Sequence, residues 1–142
     1  MESCVTSNNV RRQAACVDSK AINASVVAPF EALVAKVEEI DIYSHQACHQ
    51  FPKYEKHILA AEIRNCINAI VKLMVTAFKR KQKSAALFDL DVQVAFLKHL
   101  VRKSYSLAYI NAHKFKVWTG HVIELGKMVG GWLKHDSKLQ NG

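Results

Sequence analysis

Glycine and proline are scarce in this sequence, with five glycines and two prolines among 142 residues. Turns need the backbone freedom of glycine and the fixed φ of proline, so domains built from many short strands use more of both. The scarcity therefore favours a few long helices over a sheet. A chain of this length fits one domain that buries a hydrophobic core without covalent staples.

Cysteine pairs and long apolar runs are also missing. Four cysteines are scattered without a CxxC pair, and no apolar stretch followed by a small-residue cleavage site opens the chain. The longest run free of Asp, Glu, Lys and Arg is Ile42–Pro52, far short of the roughly 20 apolar residues that a membrane helix requires. We therefore expect a cytoplasmic protein with reduced thiols and no membrane partner.

Acidic residues are in the minority, and the resulting positive charge is unevenly distributed. The formal net charge is +8 and the pI about 9.4. Residues 51–83 contain eight Lys and Arg against two acids, whereas residues 29–50 have one Lys against four acids. A local excess of this kind favours nucleic acid or another acidic partner.

Apolar residues recur every three or four positions in four segments, which predicts four helices. Pro29 suits the first turn of the first helix, and the sequence FPK at Phe51–Lys53 ends it. The other helices are predicted from about Lys53 to Lys81, from Ser84 or Ala86 to Ile110, and from Ala112 to Lys134.

Long helices joined by short links predict an all-α fold, an up-down-up-down four-helix bundle. The bundle is expected over residues 28–136. Residues 1–27 are rich in Ser, Asn and Ala and are predicted to be a flexible N-terminal extension, and residues 137–142 a C-terminal tail.

A second stripe of small and apolar residues lies beside the core stripe on the last two helices. On the third helix it contains Phe88, Val92 and Phe96; on the fourth it contains Thr119, Ile123, Gly126, Gly130 and Leu133. A glycine inside a helix costs about 1 kcal/mol relative to alanine. Gly126, Gly130 and Gly131 therefore predict a close backbone approach, either within the bundle or between subunits. Trp132 is the predicted anchor of a subunit contact, because small neighbours let a large ring insert.

Eleven cationic residues are the candidate surface for nucleic acid or a protein partner. The densest group lies in FKRKQKSAAL, between the second and third helices, and others follow exposed helix faces. The candidates are Arg64, Lys72, Lys79, Arg80, Lys81, Lys83, Lys98, Arg102, Lys103, Lys114 and Lys116. No RNA-recognition motif or aromatic platform is evident, so binding is expected to backbone and shape. The alternative is a solvated charged face.

Catalytic and metal-binding patterns are not found. His45, Cys48 and His49 share a helix face, but a fourth ligand and an HExxH motif are missing. Asp89 and Asp91 complement the dipole of the third helix. No Glu has a His three residues later, as di-iron bundles require. We therefore predict no enzyme activity, no catalytic residue, no metal and no cofactor.

Three segments resemble the accessory variability determinant (Avd) proteins of diversity-generating retroelements. FPKYEKHILAAEIR (51–64) resembles the FPK-x-E…L…IR signature of that family, and LFDLDVQVAFLKHLVR (87–102) is similar to its L-x-x-LD…LK-x-x-x-R helix. ELGKMVGGWLK (124–134) resembles the family's E-[IL]-G-[RK]-x-x-G-G-W-[IL]-K ending. The resemblance covers about residues 30–135.

The resemblance implies a four-helix-bundle protomer that assembles into a barrel-like homopentamer with a basic surface. It also implies a partner, the reverse transcriptase of the element, which copies template RNA with mutations at adenines. The accessory protein would bind that polymerase and nucleic acid (template RNA or cDNA) and support mutagenic cDNA synthesis without covalent chemistry of its own.

Two alternatives remain at this point. A related four-helix-bundle family, encoded in ribosomal-RNA intervening sequences, shares part of the FPK signature, although the GGW ending favours the retroelement family. The other alternative is a protein–protein scaffold that binds no nucleic acid.

Overall fold

The computed structural model describes residues 24–141, and side chains from Pro29 to Leu139. Four α-helices and one short 3₁₀ turn (Lys53–Glu55) make up this part of the chain, which contains no strand. The helices are α1 (Ala24–Cys48), α2 (Leu59–Lys79), α3 (Ser84–Ser106) and α4 (Ala112–Asn141). The all-α prediction is confirmed. None of the described helices is long and apolar enough to cross a membrane.

By its internal contacts the chain divides into residues 1–32 and residues 33–142. The opening turns of α1 belong to the first unit, whereas the rest of α1 and all of α2, α3 and α4 belong to the second. Most of the predicted N-terminal extension, residues 1–23, lies outside the described residues.

Several helix ends differ from the sequence expectations. α2 begins at Leu59 rather than near Lys53 and ends at Lys79 rather than Lys81, and α3 ends at Ser106 rather than Ile110. α1 begins at Ala24, so Pro29 lies inside the helix at the cost of one backbone hydrogen bond. α4 continues past Lys134 to Asn141, through most of the residues predicted as a tail. Within this continuation Asp136 is only 9 % exposed, and its charge acts on that of Lys83.

The core is formed by the apolar stripes that the three-to-four spacing predicts. Buried residues in each helix recur at that spacing, among them Leu33, Val37, Ile40, Leu59, Ile63, Ile70, Leu90, Val94, Leu97, Trp118, Val122, Leu125 and Val129. Burying such a side chain contributes roughly 1.5–3 kcal/mol relative to leaving it exposed. The interior face of each helix is thus predictable from periodicity.

Contacts between the helices fit the predicted bundle. α2 packs on α3 and α3 on α4, and the short α2–α3 and α3–α4 connections make these neighbours antiparallel. α4 in turn contacts α1, because the buried Trp118 Nε1–H donates to Ser44 Oγ at 2.9 Å. α1 and α2 together line a groove that includes Asp41 and Arg64.

The end of α3 is a Schellman motif formed around an alanine. Ala108 has φ 61°, its N–H donates to Tyr105 O at 2.9 Å, and the Tyr109 N–H donates to Ser104 O at 3.0 Å. Glycine is the usual residue at this position, because a Cβ carries a penalty of about 1–2 kcal/mol in the left-handed region.

We expect Ala108→Gly to stabilise the protein. Relief of the left-handed strain is partly offset by the greater freedom of glycine in the unfolded chain. The free energy of unfolding in urea should rise by about 0.5–1 kcal/mol. Ala95→Gly, at an exposed site inside α3, is the control and should lower that free energy by a similar amount. A loss of stability in Ala108→Gly would contradict the assigned strain.

Candidate nucleic-acid interface

The longest acid-free part of the described chain spans the second half of α3 and the first half of α4. No Asp or Glu occurs between Asp91 and Glu124. The same stretch contains five cations, of which only Lys114 is partly buried: Lys98, Arg102, Lys103, Lys114 and Lys116. All five are among the residues predicted from the sequence, and the fold brings both halves together across the α3–α4 turn.

A backbone motif and a side-chain cap stabilise the α3–α4 turn. The Schellman motif ends α3, and Asn111 Oδ1 accepts the Lys114 N–H at 2.8 Å to cap α4. The sequence prediction placed a break at Asn111, and the structure shows that this residue starts the next helix. The cations on both sides of the turn therefore extend from a rigid base.

An aromatic pair lies at this turn, although no aromatic platform was expected from the sequence. The rings of Tyr105 (α3) and Phe115 (α4) are stacked, with centroids 4.5 Å apart and planes 12° apart. Tyr105 remains 41 % exposed. The pair joins residues from two helices and was missed because no single helix face contains both. The position of Tyr105 beside Lys98 and Arg102 on one α3 face was the available signal.

A second basic surface follows α2 to the α2–α3 turn. Its members are all exposed, as predicted: Arg64, Lys72, Lys79, Arg80 and Lys81. Arg64 differs from the others because it lines the α1–α2 groove, where Asp41, His45 and Asn68 also lie. An acidic neighbour reduces the attraction of this position for phosphate.

Lys83 was predicted as part of this surface, but its ammonium group is already engaged. It donates to Ala77 O at 2.7 Å, Phe78 O at 3.0 Å and Arg80 O at 2.8 Å. These acceptors are at the C-terminal end of α2, where carbonyls have no partner within the helix. Burial lowers the pKa of Lys83, and the charge of Asp136 opposes that shift. Three acceptors use all three ammonium hydrogens, so Lys83 is a helix cap and three cations of the turn remain outward.

The FPKYE segment connects α1 with α2 and contacts the α3–α4 turn. Phe51 is buried, with its ring 5.4 Å from that of Tyr109. The Glu55 carboxylate accepts the Leu59 N–H at 3.3 Å and the Tyr109 O–H at 3.0 Å. Hydrogen bonding to Tyr54, burial and Glu55 raise the pKa of Tyr109. This family-like motif therefore caps α2 and anchors the α3–α4 turn.

The His45, Cys48 and His49 cluster has no metal-site geometry. The two imidazole rings meet edge to face at 4.8 Å, and burial raises the pKa of the Cys48 thiol to about 11 despite the charge of Arg64. Across the part of the chain that the structure describes, no group of three or more His, Cys, Asp and Glu side chains is arranged to hold a metal ion.

A charged cluster between α1 and α4 was not predicted. Lys36 Nζ contacts Glu124 Oε2 at 2.5 Å and Glu39 Oε2 at 3.1 Å, and it lies 3.0 Å from His121 Nδ1. Burial lowers the pKa of Lys36, but its bonds to both carboxylates outweigh burial and hold that pKa above its usual value. These contacts of Lys36 join α1 to α4. Lys36 is therefore not part of either basic surface.

Gly130 and Gly131 of α4 have no close neighbour among the described residues. A Cβ built on Gly130 or Gly131 would meet no heavy atom within 4 Å, and one on Gly126 would meet Val94 Cγ1 at an ordinary 3.7 Å. Close packing among the described residues therefore does not explain Gly130 and Gly131. Trp132 beside them is partly buried.

The apolar stripe of α3 points away from the core. Phe88 is 62 % exposed, Val92 50 % and Phe96 42 %. The three follow each other at spacing four and therefore form one continuous face. An exposed apolar row of this kind commonly marks a protein contact. We call these three residues the α3 outer face.

Comparison with known proteins identifies the family. A search of curated proteins finds no significant match. The model of the bAvd-like family matches residues 32–135, a range that contains the FPK segment, the acid-free stretch and the GGW motif. The resemblance read from the three sequence segments is thus confirmed, and the chain belongs to the bAvd-like family.

Proposed function

We propose that this protein is a non-enzymatic accessory factor of a diversity-generating retroelement. It binds the reverse transcriptase of the element and nucleic acid (template RNA or cDNA) and supports mutagenic cDNA synthesis. The match of the bAvd-like family to residues 32–135 is the observation that carries this proposal. The protein contributes no covalent step, so its effect comes from binding and positioning.

The two basic surfaces supply the chemistry of nucleic-acid binding. Cationic side chains that neutralise phosphates release condensed counterions, and this release makes affinity fall steeply with salt. The cations at the α3–α4 turn extend from a rigid base with no acid nearby in sequence, which favours a polyanion over a mixed-charge protein surface. We assign nucleic acid to this end, and the polymerase or nucleic acid to Lys72, Lys79, Arg80 and Lys81.

Assembly as a homopentamer completes the proposal. Five copies repeat each basic surface five times around one axis, which multiplies weak phosphate contacts through effective concentration. The α3 outer face and the glycines of α4 offer apolar and small-residue surface for such contacts. A pentamer of 16.0 kDa chains would have a native mass of about 80 kDa.

Binding of the purified protein to RNA and DNA of matched length, across a range of salt, tests the proposal. We expect binding whose log affinity falls linearly with log salt, with a slope of about −0.7 per phosphate contact on single strands. In parallel, tagged protein should retain the reverse transcriptase of its retroelement. Retention of the polymerase without nucleic-acid binding at low salt would favour the scaffold alternative. Failure of both would overturn the proposal.

A further inference from the structure

We propose that the stacked Tyr105 and Phe115 rings are a platform on which an unpaired base of single-stranded nucleic acid stacks. The inference rests on the proposed function and names the ligand of its α3–α4 surface. Every base has a π-face, so an exposed ring recognises single strands without reading a sequence. The two rings lie face to face, 4.5 Å and 12° apart, so each covers one face of the other, and the base would stack on the outer side of Tyr105, which is 41 % exposed.

The position of the pair among cations points to nucleic acid. Phe115 lies between Lys114 and Lys116 in sequence, and Tyr105 follows Arg102 by three residues on the same side of α3. An apolar protein partner docked on the rings would desolvate these cations and would bring no acid to pair them. A nucleotide can both cover a ring and pair a cation, because its base stacks on the ring and its phosphate contacts the cation.

A groove between α3 and α4 gives the strand a path to the rings. The groove has a volume of about 300 Å³ and is lined by Lys98, Lys127, Val94 and Gly126, among others, with Asp91 two turns of α3 farther from the rings than Lys98. Lys98 precedes Tyr105 by seven residues, about 10 Å along the helix axis, and Arg102 lies between them. Phosphates along this groove would therefore approach three cations before the base reaches Tyr105.

The rigidity of the turn favours binding, because little freedom is lost when the base stacks. Asn111 caps α4 one turn before Phe115, and the Phe115 N–H itself donates to Asn111 O at 3.0 Å. Both rings are thus positioned before a ligand arrives. Duplexes hide their base faces within the stack, so the platform selects single strands over duplexes.

Fluorescence anisotropy with three labelled probes tests the platform in the full-length protein. The probes are a single strand of about twelve nucleotides, an abasic oligonucleotide with the same number of phosphates, and a duplex of the same length. The double variant Tyr105→Leu/Phe115→Leu keeps every charge and removes both rings. We expect it to bind the base-containing single strand about 5- to 100-fold more weakly, with unchanged affinity for the abasic and duplex probes and an unchanged salt slope.

The matched control removes charge and keeps the rings. Arg102→Gln/Lys103→Gln should weaken binding of all three probes and make the salt slope shallower by roughly 1.4 on single strands. Tyr105→Phe should restore wild-type affinity, because it retains the ring. Circular dichroism and the thermal midpoint show whether the double variant is folded. If it is not, the wild-type ratio between base-containing and abasic probes decides the question alone.

The possible failures are distinguishable. Equal wild-type affinity for the base-containing and abasic strands would overturn the platform and leave the proposed function standing. If the affinity of the folded double variant for the abasic strand fell by the same factor as its affinity for the base-containing strand, the rings would only position the turn. That result would also overturn the platform. A wild-type protein that binds none of the probes would overturn the proposed function itself.

Discussion

Reversal of three charges at the α2–α3 turn, Lys79→Glu/Arg80→Glu/Lys81→Glu, is expected to weaken nucleic-acid binding on the order of 100-fold near physiological salt. The three side chains are exposed, and each glutamate both removes a counterion-releasing contact and repels phosphate. The loss should shrink as salt rises, because the interaction is electrostatic. Anisotropy titrations at several salt concentrations measure it.

Lys83→Met is the matched control, because the same segment contains this fourth cation in a different environment. Its ammonium is bonded to three carbonyls, so its removal should leave nucleic-acid affinity within about twofold. Stability should fall instead, by about 1–3 kcal/mol, since the end carbonyls of α2 lose a charged donor. Urea unfolding measures this loss. If Lys83→Met were as stable as the wild type but bound nucleic acid more weakly, Lys83 would belong to the binding surface.

The contrast among these four residues shows where sequence reasoning ends. Lys79, Arg80, Lys81 and Lys83 are alike by charge and spacing, and the sequence prediction treated them alike. The difference follows from the end of α2 at Lys79, two residues before the predicted end, which leaves carbonyls unpaired within reach of Lys83. A shift of two residues in a helix end thus separates Lys83, predicted as a binding residue, from its neighbours as a cap.

The burial pattern was predictable for a physical reason. A helix repeats every 3.6 residues, so spacing alone identifies the buried face of each helix. Each of these faces contains one of the buried residues Leu33, Leu59, Leu97 and Trp118. Contacts between helices carry no such signal. The Tyr105–Phe115 stack and the Lys36 cluster each join residues far apart in sequence, and only the antiparallel packing of α3, α4 and α1 brings them together.

The glycines of α4 are the opposite case. The sequence left open whether they pack inside the protomer or between subunits, and the structure bears on that choice. Gly130 and Gly131 have no close neighbour among the described residues, which supports the proposed packing between subunits over packing inside the protomer. The exposed α3 outer face supports the same conclusion. The glycines and the α3 outer face lie on α4 and α3, the two helices that also contain the acid-free stretch.

We therefore expect Phe88→Asp/Phe96→Asp to dissociate the proposed pentamer. These rings are 62 % and 42 % exposed in the protomer, so the substitutions should leave its core intact. In an assembled face each new carboxylate would be buried without a partner, at a cost of several kcal/mol per subunit. Native mass spectrometry should show a shift from about 80 kDa to the 16.0 kDa of one chain.

Leu139→Asp is the control for this double variant. Leu139 is 68 % exposed near the end of α4 and lies outside the α3 outer face, so the substitution adds a carboxylate at a comparably exposed apolar site. Its native mass should stay at the wild-type value. A wild-type protein that is monomeric would contradict the pentamer directly. Dissociation by Leu139→Asp, with Phe88→Asp/Phe96→Asp still assembled, would place the subunit contact at the C-terminal end of α4 instead.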